Sequence, residues 1–342
     1  MKKHDLHASE EQTISVDGVP VVSRRMMAGS FAVMAAWLTG SGIGRAATRG
    51  SAAGQYMPAI GTDYATTDPV YFDPEFPPIH FPHSFKSKAG KPIQSFMWLA
   101  NGPEAKGCVI ISPQANGGDS MDSLIPAILS AGINVMRFNP RGMWDEYEDY
   151  SIAGSLDDLL DAIAFLRENG GRHAVPGSGD HPRQYQIDLD HIAVLGKSGG
   201  GGLNGLIAAS ESPYLNTMIA VEPARLRVLP PYYDKHFEEV RVATAGRIDQ
   251  KKWFDKLTPA DRERMDVLKA APKLVDKNVL LIGSMDQDYV QNIHKPIVQA
   301  MNAAGAKHFS AMILEAGNSF MLNKRIALSR IVISWLKNEC GF

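Results

Sequence analysis

The sequence has little of what would assign it quickly. It holds 2 cysteines in 342 residues, Cys108 and Cys340, too few for a disulfide framework or a four-cysteine zinc site. It has no excess of charge of either sign: 35 Lys and Arg stand against 37 Asp and Glu, a formal net charge of −2. Nucleic-acid binders normally carry a basic excess or patch, so nucleic acid is not expected as a partner. Charged residues make up 21 % and hydrophobic residues 44 %. That balance supports a buried core and excludes wholesale disorder. No internal repeat or low-complexity tract is visible, and the length fits one large domain or two small ones.

Charge is also absent locally, from Met26 to Gly44. Arg24-Arg25 precedes this stretch and Arg45-Ala46-Ala47 follows it. A basic pair, a mildly apolar run and a small-residue exit form the pattern of an export signal. The adjacent arginines after a long polar lead-in resemble a twin-arginine (Tat) signal. Residues 1–47 are read as that signal, with cleavage near Ala46 or Ala47. The Tat machinery is then a partner, and the periplasm or the exterior the destination. A membrane anchor and an unstructured tail are the competing readings. The run is almost long enough to span a bilayer, but Gly29, Ser30, Thr39, Gly40, Ser41, Gly42 and Gly44 leave it weakly apolar. No stable membrane span is expected.

Beyond the signal, residues 48–90 are rich in proline, glycine and aromatics and read as an irregular lead-in. From there apolar runs alternate with helical patterns. Strands are expected at Gln94–Ala100, Cys108–Ser112, Ile133–Phe138, Ile192–Leu195, Thr217–Val221, Val279–Ile282 and Phe309–Leu314. Helices are expected at Met121–Ser130, Leu156–Glu168, Gly202–Ser210, Val290–Ala304 and Arg325–Lys337. Continuous apolar strands separated by helices imply an α/β fold, a mostly parallel sheet with helices on both faces. Ligands of such sheets bind beyond the carboxyl ends of the strands. Residues 91–342 form this domain, and residues 223–277 break its rhythm as a charged lid or insertion.

After the strand at Ile192 comes Gly196-Lys197-Ser198-Gly199-Gly200. This is G-x-S-x-G in strand–turn–helix context, the pattern of a nucleophile elbow. The serine sits at the tip of a strained turn, and small residues, here Gly196 and Gly200, let strand and helix approach. Its hydroxyl then projects at a helix N-terminus, which favours developing negative charge. Three other readings compete. A P-loop fails because its first glycine would fall on His191. A dinucleotide fingerprint fits Gly200 to Gly205, with Glu222 about 20 residues on, but it begins four residues past the strand. A glycine-rich turn that merely packs closely is the third. The later segment Gly283-Ser284-Met285-Asp286-Gln287-Asp288 follows a strand, where an acid would stand. Asp286 holds that position, with Asp288 as its understudy or as a helix cap.

From about residue 90 onward the chain resembles the α/β-hydrolase-fold serine hydrolases, of the dienelactone-hydrolase and acyl-peptidase type. The resemblance is carried by GKSGG, GSMDQD, the terminal EAGNSF and the loop Asn139-Pro140-Arg141-Gly142. It implies Ser198 as nucleophile, Asp286 as acid, and backbone N–H donors for an oxyanion from Gly199 and Ala115. It also implies a histidine in the final loop, and there the chain departs: Gly317-Asn318-Ser319-Phe320 places Asn318 at the histidine position. An amide cannot take the serine's proton. Among the other histidines, His191 and His308 are expected at the wrong end of the sheet, His173 and His181 in the loop before the elbow strand. His294 is expected to descend away from the site. His236, in the insertion, is the candidate substitute base. His80 and His83 form a weak H-x-x-H, and no metal or cofactor is expected. Lys197 reads as a solvated or paired residue, or as a preference for acidic substrates.

These residues point to an exported carboxylic-ester (acyl) hydrolase with an atypical triad, acting on a small-molecule substrate. A catalytically degenerate binding protein of the same fold is the alternative, and an NAD(P)-dependent oxidoreductase a weaker one.

Overall fold

The computed structural model describes residues 21–22, 63–114, 121–143, 150–168, 172–175, 183–226, 231–243, 249–316 and 321–342. The signal reading therefore lies outside the described residues apart from Val21 and Val22, as do Ala115 and Asn318. The strands are β1 (Val21–Val22), β2 (Ile79–Lys86), β3 (Pro92–Leu99), β4 (Lys106–Ser112), β5 (Asn134–Phe138), β6 (Arg172–Val175), β7 (Arg183–Lys197), β8 (Thr217–Val221), β9 (Asn278–Ser284) and β10 (Phe309–Leu314). They pair in the order β1-β10-β9-β8-β7-β4-β5-β3-β2, with β6 on β7 alone. From β5 through β4, β7, β8 and β9 to β10 every pairing is parallel. β3 joins β5, and β2 joins β3, antiparallel.

The strands are apolar on both faces because each face meets helices. In β4, Cys108 and Ile110 belong to one core cluster, and Val109 and Ile111 to the other. In β9, Val279 and Leu281 face the first cluster while Leu280 and Ile282 face the second. Helix α1 (Ile125–Ser130) is followed by α2 (Ile152–Glu168), which covers the first face with Leu156, Leu159, Ile163 and Leu166. They recur at helical spacing. Helix α3 (Asn204–Glu211) joins α2 on that face. The excursion between β8 and β9 carries α4 (Pro231–Ala243), α5 (Gln250–Asp255), α6 (Pro259–Arg264) and α7 (Val267–Ala270). Helix α8 (Lys295–Ala304) follows β9, and α9 (Arg325–Glu339) covers the second face with Leu328, Val332 and Leu336. Each fully buried Leu or Ile contributes about 2 kcal/mol of transfer free energy.

Three segments differ from expectation: Arg172–Val175, read as loop, is strand β6 paired with β7; β7 begins at Arg183 and not at Ile192; and the third lies at the edge of the sheet. Ile79–Lys86, read from sequence as irregular, is paired with β3 along its length, from Ile79 opposite Leu99 to Lys86 opposite Pro92. Proline density hid it. Pro82 is tolerated because, among the described residues, β2 has β3 alone as neighbour, and an edge strand need not donate on its outer side. The strand geometry also explains its two histidines. An odd spacing in a strand puts side chains on opposite faces. His80 accordingly stacks on Trp98 at 5.3 Å between ring centroids, and His83 packs against Phe165 at 5.0 Å. The H-x-x-H pair therefore cannot share one metal ion. No helix of the described residues is long and apolar enough to cross a membrane.

Candidate active site

Ser198 stands at the carboxyl end of β7, with φ 59° and ψ −155°. A non-glycine residue in this region stores roughly 1–3 kcal/mol of strain, so the surroundings must hold it there. They do so by hydrogen bonds and by close packing. The Ser198 N–H donates to the Val221 carbonyl at 3.0 Å, and the Ser198 carbonyl accepts from Leu203 N–H at 2.9 Å. That second bond closes a wide turn of five residues, Gly199–Leu203, ahead of α3. A close approach falls on Gly196 and Gly201, and Gly200, the second small residue of the motif, is buried beside them. A Cβ on Gly196 would lie 2.3 Å from the Gly201 carbonyl oxygen, and one on Gly201 would lie 2.4 Å from the Ser112 carbonyl oxygen. The end of β4 is thereby pressed against the elbow, and the Ser112 hydroxyl donates to the Gly200 carbonyl at 3.3 Å. The loop leading to Ala115 begins there, and its Gln114 is buried.

The dinucleotide spacing has a packing explanation. A Cβ on Gly202 would lie 3.0 Å from Pro223 Cα, and one on Gly205 would lie 2.2 Å from the Met218 side chain. Gly200, Gly202 and Gly205 are all buried. Gly202 and Gly205 thus serve to bring helix and strand together.

The excursion covers one side of the elbow. Gly199 Cα is bounded by Ala224, Phe254 and Ile152, with Ala224 Cβ 3.4 Å from the position of an added Cβ. Phe254 packs on Phe237 of α4 at 4.7 Å between ring centroids, and Trp253 on Tyr150 at 5.0 Å. Ile152 is fixed through its carbonyl, which accepts from the Asn204 side chain at 3.0 Å. The loop after β5 is held to α2 by Arg141. Its backbone N–H donates to Asp158 at 2.9 Å, and its guanidinium meets the same buried carboxylate at 2.7 Å. Burial raises the Asp158 pKa, against the opposing pull of Arg141.

Asp286 lies just past β9 and is exposed. Its carboxylate accepts from Tyr289 N–H at 2.8 Å and so caps the turn that follows. The cap is Asp286 and not its neighbour; the Asp288 carbonyl accepts from Asn292 instead, at 2.8 Å. His236 falls on α4 with its side chain outside the described set. His294 is fully buried. A Cβ on Gly283 would lie 2.8 Å from its ring, and burial depresses its pKa to about 4, so at neutral pH the imidazole is uncharged. His191 bonds Asp188 at 2.7 Å and packs on the C-terminal Phe342. It lies seven residues before Ser198 in the same strand, about 20 Å away. His308 sits at the start of β10, at that same far end, where its carbonyl accepts from Val279 N–H at 2.9 Å.

Two polar residues differ most from the sequence reading. Lys197 is not solvated: it is 2 % exposed, one residue before Ser198. Glu222, noticed in the sequence only as a spacing match, is 6 % exposed and has φ 46°. It follows β8 directly, and its N–H donates to the Ile282 carbonyl at 2.7 Å. Burial pushes its pKa up to about 7, against the opposing influence of Ser284 and Lys197. The signal that could have found it was its place: a carboxylate immediately after a wholly apolar strand.

No family model matches this sequence, and no curated protein matches it. Solved structures do. A 2,6-dihydroxy-pseudo-oxynicotine hydrolase superimposes with a TM-score of 0.55 at 15% identity, over 75% of this chain and 68% of the other. The acylaminoacyl peptidase of Pyrococcus horikoshii gives 0.52 at 17% identity, over 77% of this chain and 41% of the peptidase. A puromycin-hydrolyzing peptidase of Mycobacterium tuberculosis gives 0.57 at 14% identity, over 79% and 40%. This chain thus spans about two fifths of the two peptidases. At such identities the likeness is one of architecture. Sheet order, strained elbow serine and these superpositions together show that the chain has the α/β-hydrolase fold.

Proposed function

We propose that this protein is an exported serine hydrolase of acyl bonds, most simply carboxylic esters of small molecules, with Ser198 as nucleophile. The observation that carries the reading is the backbone of Ser198, strained at φ 59° and locked between β8 and the Gly199–Leu203 turn. Strain of this kind persists where a reactive group must be presented. Gly199 N–H lies at the start of the helical turn and supplies one oxyanion donor, with Ala115 as the second. Asp286 is the acid. Asn318 stands at the base position, so turnover is low unless His236 or another group takes the serine's proton. The three named neighbours are two peptidases and a hydrolase, which keeps amide bonds among the substrates to be tried. The N-terminal arginine pair and uncharged run support export.

The test is labelling of purified protein by a fluorophosphonate. The wild type is expected to label and Ser198→Ala is not. Equal labelling of both, or none of the wild type, refutes the nucleophile. Asn318 favours a second reading, a binding protein of the same fold without turnover. A large gain in esterase rate in Asn318→His would show a site lacking only its base, whereas robust turnover by the wild type refutes the binding-only reading.

A further inference from the structure

Lys197, Glu222 and Ser284 stand at the carboxyl ends of three adjacent strands, β7, β8 and β9, or one residue beyond. Strand alternation puts Lys197 on the face of Leu195, and Ser284 on the face of Ile282, which is the same face of the sheet. All three are buried, at 2 %, 6 % and 1 % exposure. A buried carboxylate and a buried ammonium persist only when electrostatically compensated. Here each charge favours the other, and Asp286 adds a like charge that opposes ionisation of Glu222. Those are the charged groups described around Glu222: Lys197 from β7 and Asp286 from the loop after β9, with the Ser284 hydroxyl and N–H as dipoles.

The cluster is tied to the nucleophile by the backbone. Val221, paired with Lys197 in the ladder, gives its carbonyl to Ser198 N–H, and the next residue is Glu222. Ser198 and Glu222 are thus two left-handed, non-glycine residues braced through one peptide. Such positions cost free energy and are kept where the surroundings over-determine them. We propose that Glu222 is a positioning residue for Ser198: its carboxylate, buried at the strand end adjoining Lys197 and one peptide from the bond that anchors Ser198 N–H, holds the nucleophile's turn in the reactive shape. The inference rests on Ser198 being the nucleophile. In its consequence, the ionised form of Glu222 supports reactivity, and its protonation removes the charge set against Lys197. Ser198 reactivity then rises with pH through neutrality, where burial has placed the Glu222 titration.

The experiment is the rate of fluorophosphonate labelling of Ser198 across the neutral pH range. The wild-type rate is expected to climb up to about tenfold per pH unit and then level off. Glu222→Gln should flatten that climb, and Glu222→Asp, which keeps a carboxylate, should retain it at a displaced midpoint. Lys197→Met should move the midpoint to higher pH. A Glu222→Gln profile identical to the wild type overturns the proposal. The infrared band of the protonated Glu222 carboxyl provides a readout independent of labelling and of whether Glu222→Gln folds. A band that disappears near neutral pH, and at higher pH in Lys197→Met, supports the coupling. A carboxyl that ionises in the ordinary glutamate range, or is indifferent to Lys197→Met, overturns it. An unlabelled wild type whose carboxyl still titrates near neutrality removes Ser198 as nucleophile, and with it the role of Glu222 toward Ser198, while leaving the buried charge pair established.

Discussion

Two buried groups should make opposite contributions to the pH dependence of stability, and their near-cancellation is testable. Glu222 moves from its ordinary 4.5 to about 7 on folding, through burial. Below pH 4.5 it is protonated in both states and costs nothing. Between 4.5 and 7 the folded state retains a proton that the unfolded chain releases, so stability falls as pH rises. The full loss is reached above 7 and amounts to about 3 kcal/mol at 1.36 kcal/mol per pH unit. His294 moves the other way, from 6.5 to about 4, again through burial. Above 6.5 it is neutral in both states. As pH falls, the unfolded chain gains a proton that the folded state refuses, so about 3 kcal/mol is lost on acidification to pH 4. From about pH 4.5 to 6.5 the two slopes oppose each other, and these two contributions nearly cancel.

Urea unfolding over that range separates them. Relative to wild type, Glu222→Gln should gain stability with rising pH by up to about 1.4 kcal/mol per unit, because the opposing slope of Glu222 is removed. His294→Leu should lose stability with rising pH at a similar rate. Only the slopes matter, because each substitution also adds a constant offset from lost or altered packing. The reasoning is refuted if Glu222→Gln and wild type have parallel profiles, since Glu222 would then titrate at its ordinary value despite its burial.

The remaining predictions concern the site and its supports. Asp286→Ala should lose about 1 kcal/mol with its cap, while Asp286→Ser keeps the cap; if Asp286 is the acid, both should lose several orders of magnitude in turnover, and unimpaired Asp286→Ser would leave it a cap alone. Gly201→Ala forces a methyl to within 2.4 Å of the Ser112 carbonyl oxygen, so thermal unfolding should show a loss of about 3 kcal/mol or more and phosphonate labelling should fail. Arg141→Ala leaves the buried Asp158 carboxylate without its guanidinium; chemical unfolding should register about 3 kcal/mol, the low end for a broken buried pair because Arg141 is 30% exposed.

Much of the scaffold was legible along the chain. Thr217–Val221 and Phe309–Leu314 begin and end where expected, because strands covered on both faces are mostly apolar, with Thr217 and Ser310 as the polar residues of these two. The elbow was legible because its constraint is local: glycine must flank a residue in a strained turn. Even so, the contact of Gly201 with Gly196 could not be read from the motif, since a wide turn rather than an ordinary helical one follows Ser198. Strand β2 was hidden because its pairing with β3 is a tertiary event that overrides proline-rich composition.

Sequence by itself determined the class of fold, the glycine-flanked serine, the carboxylate after β9 and the asparagine of Gly317-Asn318-Ser319-Phe320. Each is a matter of residue type at a local position. Only the tertiary structure decided that Lys197 is buried, that Glu222 stands beside it, that His80 and His83 face apart, and that His294 is sealed in the core. Those facts depend on which strands become neighbours and on what covers them. Desolvation and distance, which set a charge's cost and its reach, exist only once the chain has closed around it.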